Sequence, residues 1–166
     1  MNNKIQELYE KVKDDWCYSL QEGIDCFTES PIEKLLLLGL LSNIPAFDIE
    51  YKKDENHRRG YKISFINEFW NIEPQVQITS YIRVDFLIFS KFFPTLRIII
   101  ECDGHDFHEK TKEQAKKDKA RDRELIKLSF IVLHYTGSEI YNEPDKCYKD
   151  IEELFCKEQD KKEVSH

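Results

Sequence analysis

Apolar positions along the 166-residue chain change period several times, and each change marks an element. Ile5, Leu8, Tyr9, Val12 and Trp16 recur at spacings of three and four, which predicts an amphipathic helix over residues 4–20. "SPIE" (30–33) offers Ser at an N-cap, Pro at the first helical position and Glu three residues after the cap, so a second helix starts there. Its body, "LLLLGLL" (35–41), is a buried core helix and far too short to span a bilayer. Residues 42–70 carry a poor pattern and the charged stretch "YKKDENHRRGYK" (51–62), which predicts a loop or a protruding hairpin. Three runs rich in β-branched and aromatic residues follow: "PQVQI" (74–78), "YIRVDFLIF" (81–89) and "LRIIIEC" (96–102). Their short connections predict an antiparallel meander. Residues 110–128 read as a helix, "FIVLHY" (130–135) as a buried strand, and "EPDKCYKDIEELFC" (143–156) as a closing helix with Cys147, Ile151, Leu154 and Phe155 on one side. The strand, helix, strand crossover from 96 to 135 makes the last two strands parallel. The expected fold is an α/β domain with a mixed β-sheet flanked by helices.

Length adds that this is one domain over residues 1–166, with an N-terminal helical extension (1–29), a core (30–156) and a polar tail (157–166) that frays. The charged fraction of 34% exceeds the usual quarter, and the net charge of −7 argues against a protein that coats nucleic acid non-specifically. Five cysteines in an odd set without close pairs, no signal-like N-terminus and no membrane span predict a reduced, cytoplasmic protein.

The chemistry concentrates in "RIIIECDGHDFHEK" (97–110). Asp85 lies within an apolar strand, where an unpaired carboxylate is strongly disfavoured. Glu101 and Asp103 share a face of their strand, and hairpin pairing can bring that face to Asp85. Three converging carboxylates repel one another unless a divalent cation sits among them, and hard oxygen donors suit Mg²⁺ or Mn²⁺. In the following helix Leu125 and Leu128 mark the buried side, and Gln114, Asp118 and Arg121 extend the same face toward the strand tip. Residues 110–127 hold eight Lys and Arg against four Asp and Glu, 8 − 4 = +4, a local attraction for phosphate in an acidic chain.

"YIRVDFLI", "IIIECDGHDFHEKTKEQAKKDKARDREL" and "FIVLHYTGSEI" together resemble the PD-(D/E)XK, restriction-endonuclease-like nuclease superfamily, in the branch near the very-short-patch repair endonucleases. The likeness covers residues 73–151, with "SPIEKLL" as an outlying helix motif. It implies a restriction-endonuclease-like sheet and metal-dependent hydrolysis of nucleic-acid phosphodiesters, with DNA the expected substrate. On this likeness Asp85 and Glu101 are Mg²⁺ or Mn²⁺ ligands, the Cys102 carbonyl completes the coordination, and Glu33 is the acidic residue of the first core helix. Asp103 departs from the pattern, because the superfamily places a lysine there. His105, His108, Lys110, Lys112 and Gln114 are the candidates for that lysine's work. Arg58, Arg59, Lys110, Lys112, Lys117 and Arg121 are candidate contacts to nucleic acid, and a homodimer or a partner subunit is a further expectation. Plainer alternatives stand beside each assignment. Glu33 can serve a capping box through the Ser30 N–H, Cys102 with His105 and His108 has zinc-like spacing but lacks a fourth ligand, and the basic helix can be a solvated face. A second functional reading keeps the fold without catalysis, as a module that binds nucleic acid or a partner protein.

Overall fold

Ser30 opens the first core helix, α1 (Pro31–Leu41), in the way its sequence requires. Its backbone is extended, its hydroxyl accepts the Glu33 N–H at 3.2 Å, and Pro31 fills the first turn, where no N–H is needed. Leu35, Leu36, Leu37, Leu38, Leu40 and Leu41 are all buried, as expected of a helix enclosed on every side. The computed structural model describes residues 4–5, 24–44, 46–55, 60–104 and 111–164. Most of the expected N-terminal helix, together with Arg58, Arg59, His105, His108 and Lys110, lies outside the described residues. Ile24 and Phe27, from the N-terminal extension, are buried in the same core as α1.

One six-stranded sheet carries the fold, in the spatial order β1 (Asp48–Lys53), β2 (Tyr61–Ile66), β3 (Trp70–Gln77), β4 (Arg83–Ser90), β5 (Arg97–Asp103), β6 (Ile131–Thr136). The first five strands are antiparallel, and β6 runs parallel to β5 after a crossover through α2 (Lys112–Lys127). The meander and the parallel pair are those the sequence predicts, and of the two alternatives for residues 42–70 the hairpin is realised, as β1 and β2. Pro74 sits inside β3 without harm. β2 pairs with β3 only at Phe65↔Ile72 and Ile66↔Asn71, so from Glu73 onward β3 ladders with β4 alone.

Helices cover both faces. α1 and the closing helix α4 (Lys146–Val164) bury Trp70, Phe86, Ile98 and Ile100 on one side; α2 covers Ile99, Ile82 and Val84 with Leu125 on the other. A short capped helix, α3 (Gly137–Asn142), follows β6 directly; Thr136 and Glu139 form its capping box, a signal left unused at the level of sequence.

Two expectations need correcting. Leu128 is 43% exposed rather than buried, because Ser129 (φ 65°) ends α2 in a left-handed turn whose Phe130 N–H bonds Leu125 O, and Phe130 takes the buried place. The polar segment from Lys157 is helical as far as Val164: α4 continues through it, with Lys157–Glu153 and Lys161–Glu158 pairs and with Lys162, which donates to Phe92 O and lies over the Phe93 ring.

Candidate active site

The ladder between β4 and β5 ends at Phe86↔Ile100. One residue further, Asp85 and Glu101 stand at the point where the two strands part. There the Asp85 carboxylate accepts the backbone N–H of Cys102 at 2.8 Å, which fixes its orientation. Carboxylates from three elements come within electrostatic reach of one another around this gap. Glu33 comes from α1 on one side of the sheet, Asp85 from β4, and Glu101 from β5 on the side covered by α2.

Glu33 is buried and not used as a capping box predicts. Its Oε2 accepts the Glu29 N–H at 2.8 Å, one residue before the cap, and also the Gln75 amide Nε2–H at 2.8 Å. The same carboxylate therefore anchors the helix start and faces the strands. Gln75 holds a left-handed backbone (φ 54°), a conformation a non-glycine residue adopts only where its surroundings enforce it. The pairs Pro74↔Phe86 and Val76↔Val84 set it opposite Asp85. Its Oε1 is buried without a hydrogen-bond partner.

Burial dominates the electrostatics. It raises the Glu33 carboxyl above its ordinary value, with the nearby Asp85 charge adding to the effect against the Glu29 N–H. Burial raises Asp85 as well, opposed by the Cys102 N–H and the Arg121 charge. Glu101 is pushed up to about 7, first by burial and then by repulsion from Asp85, with Arg121 resisting both. These are carboxylates short of positive charge.

Part of that charge comes from α2. Leu125 packs on the sheet, and one turn earlier Arg121 donates to Glu101 Oε1 at 2.7 Å and to the Arg83 carbonyl at 2.6 Å. Arg121 thus faces the carboxylates, as its helix position predicts, but its guanidinium is engaged there rather than offered to a phosphate. Arg83 itself forms a two-armed pair with Glu29, both contacts at 2.8 Å. Gln114 is held elsewhere: its side chain accepts the Thr111 N–H at 2.8 Å in the capping box that starts α2, and it is exposed. Lys112 and Lys117 are exposed on α2.

Asp103, in the lysine's place, is turned toward a residue the sequence did not single out. His134 on β6 lies beside Glu101 in the parallel register, and its Nδ1 is 3.2 Å from Asp103 Oδ2. On the other side of the ring, Nε2 is 3.3 Å from Asp122 Oδ2, and Asp122 Oδ1 is buried without a partner.

The donor chemistry fits a hard divalent cation. Carboxylates from three elements repel one another, and beside them lies the Gln75 amide oxygen, which has no partner among the described residues. Arg121 occupies the electrostatic place of such an ion, and among the described residues no three His, Cys, Asp or Glu side chains gather tightly enough to hold a metal. The zinc alternative of Cys102 with His105 and His108 lies partly outside the described residues. Burial and the surrounding carboxylates push the Cys102 thiol well above the usual range. A cleft of about 650 Å³ bordered by Asp54, Lys62, Glu73, Gln75, Gln77 and Arg83 adjoins the site through Gln75, which bonds Glu33. No described helix is long and apolar enough to cross a membrane.

A family model described as REase_MTES_1575, restriction-endonuclease-like, matches residues 64–155. That span takes in β3 to β6, α2 and Asp85, Gln75, Glu101, Arg121 and His134. No curated protein and no solved structure matches the chain.

Proposed function

Since the chain belongs to the restriction-endonuclease-like family REase_MTES_1575, we propose that it is a metal-dependent endonuclease hydrolysing phosphodiester bonds, with DNA as its substrate. The observation that carries the reading is the position of Asp85, a half-buried carboxylate held by the Cys102 N–H in electrostatic reach of Glu33 and Glu101 where two strands part. Mg²⁺ or Mn²⁺ would be held by Asp85, Glu101 and the Cys102 carbonyl, and when bound supplies an activated water and charge stabilisation at a phosphodiester.

The chain's own groups divide the remaining work. The Cys102 N–H fixes Asp85, and Gln75 with the Glu29 N–H fixes Glu33, so the carboxylates need little reorganisation. Arg121, tethered at the Arg83 carbonyl, would exchange Glu101 for a phosphate oxygen when substrate binds. Asp103 and Asp122 hold His134 by its two ring nitrogens beside Glu101, where the superfamily has its lysine. The cleft beside Gln75 and Arg83 receives the strand to be cut. Likeness of "IIIECDGHDFHEK" to very-short-patch repair enzymes favours DNA over RNA.

One observation favours a second reading, a non-catalytic module. Arg121 already neutralises Glu101, and Asp103 replaces the lysine. A labelled panel of duplex DNA, mismatched duplex, single-stranded DNA and RNA, incubated with Mg²⁺, Mn²⁺ or EDTA, separates the two. The nuclease reading expects a duplex product that requires the divalent ion and disappears in Asp85→Ala. Cleavage that survives Asp85→Ala, or no product under any condition, sinks it.

A further inference from the structure

We propose that the outer face of α2 is a phosphate-backbone contact, separate from the cleft, which grips duplex DNA beside the site of cutting. The proposal rests on the nucleic-acid reading above. At about 100° per residue, Lys112, Lys116, Lys119 and Arg123 fall within about 60° of one another, roughly opposite Arg121 on the helix. The inner face of α2 therefore serves the carboxylates and the outer face points away from them. These four side chains line one shallow trough of about 300 Å³, floored by Ala115.

Three features set this stripe apart from an ordinary solvated face. All four cations are exposed, and none makes an ion pair with a described acidic group. The acidic residues of α2, Glu113, Asp118, Asp122 and Glu124, lie outside the stripe by the same helical geometry. Asp122 is turned to His134 and Glu124 to Tyr81. Unpaired like charges this close raise the energy of the free protein, and the cost is removed by a polyanion.

The dimensions select a nucleic-acid backbone. The twelve residues of helix from Lys112 to Arg123 extend about 16 Å. Phosphates of one duplex strand recur about every 3.4 Å along the axis, so four or five of them face the stripe. The chain carries a net charge of −7, so DNA is held through this strip rather than over the whole surface.

The test replaces Lys112, Lys116, Lys119 and Arg123 together by Gln, which keeps helix propensity near that of Lys and Arg. Binding of a fluorescein-labelled 30-bp duplex is followed by anisotropy in EDTA, from 50 to 300 mM KCl. Loss of four phosphate contacts should make the slope of log K against log salt shallower by about 3.6, with an affinity loss of at least tenfold at 100 mM. Coincident slopes for the two proteins overturn the proposal, whether or not cleavage is found. It is overturned equally if poly-glutamate displaces the duplex as well as unlabelled DNA does per charge, since the stripe would then be a site for acidic protein. A difference in slope without any cleavage leaves the stripe standing and removes only the nuclease reading.

Discussion

Replacing Glu101 by Gln removes a charge that the fold holds at a cost. In the folded chain the carboxyl is pushed up to about 7 from an ordinary 4.5, with burial the main cause and Asp85 the second. The folded state therefore binds this proton more tightly than the unfolded one. Its contribution to stability is fully present below pH 4.5 and is lost as pH rises through 7. Once both states are ionised the penalty is about 3 kcal/mol, and roughly 2.5 kcal/mol of it develops between pH 5 and pH 8. The burial of Glu101 makes solvent screening a small correction. Glu33 and Asp85 are raised for the same first reason and add in the same direction. Urea unfolding of both proteins at the two pH values measures the effect. The unaltered chain should lose stability over this interval, and Glu101→Gln should lose about 2 kcal/mol less, so that the variant is the more stable protein at pH 8. Parallel losses in the two proteins would refute the reasoning, since Glu101 would then ionise in the fold as it does in water.

Arg121→Gln should act in the opposite sense, destabilising by about 2 kcal/mol or more at pH 8 and by less at pH 5, because it strands an ionised Glu101; a urea double-mutant cycle with Glu101→Gln should show the two effects to be non-additive. Gly39→Ala should cost about 1–3 kcal/mol in the same assay, since its methyl would stand 2.6 Å from the Pro144 carbonyl oxygen, a backbone atom that cannot simply rotate away. Ser129→Gly should raise the melting temperature slightly, by about 0.5–1 kcal/mol of stability, because its left-handed backbone suits glycine better than serine.

Much of this architecture is legible before any coordinates. Alternating and continuous apolar runs carry β3, β4, β5 and β6. The "SPIE" signal carries the start of α1, and helix periodicity places Leu125 and Arg121 on the inner face of α2. These are local patterns whose period is imposed by one buried side. Legibility ends where position depends on register. His134 looks like an arbitrary polar residue in "FIVLHY" until the parallel pairing sets it beside Glu101. Gln75 becomes a partner of Glu33 only through a left-handed residue in β3, which no propensity favours. Gln114 misled because its helix angle fits the site, while the capping box of α2 takes its side chain first. The closing helix outruns its apolar stripe because Lys162 finds Phe92 and Phe93, contacts 70 residues apart in sequence.

The central claim is that Asp85 and Glu101 form a centre short of positive charge that takes up a divalent ion. Calorimetric titration of Mn²⁺ into the metal-free chain at pH 7, repeated in buffers of different ionisation enthalpy, addresses it directly. Saturable binding with proton release is expected, as Glu101 gives up the proton it partly holds at this pH, with loss of that binding in Asp85→Asn. No saturable uptake at millimolar Mn²⁺, or an unchanged isotherm in Asp85→Asn, would contradict it.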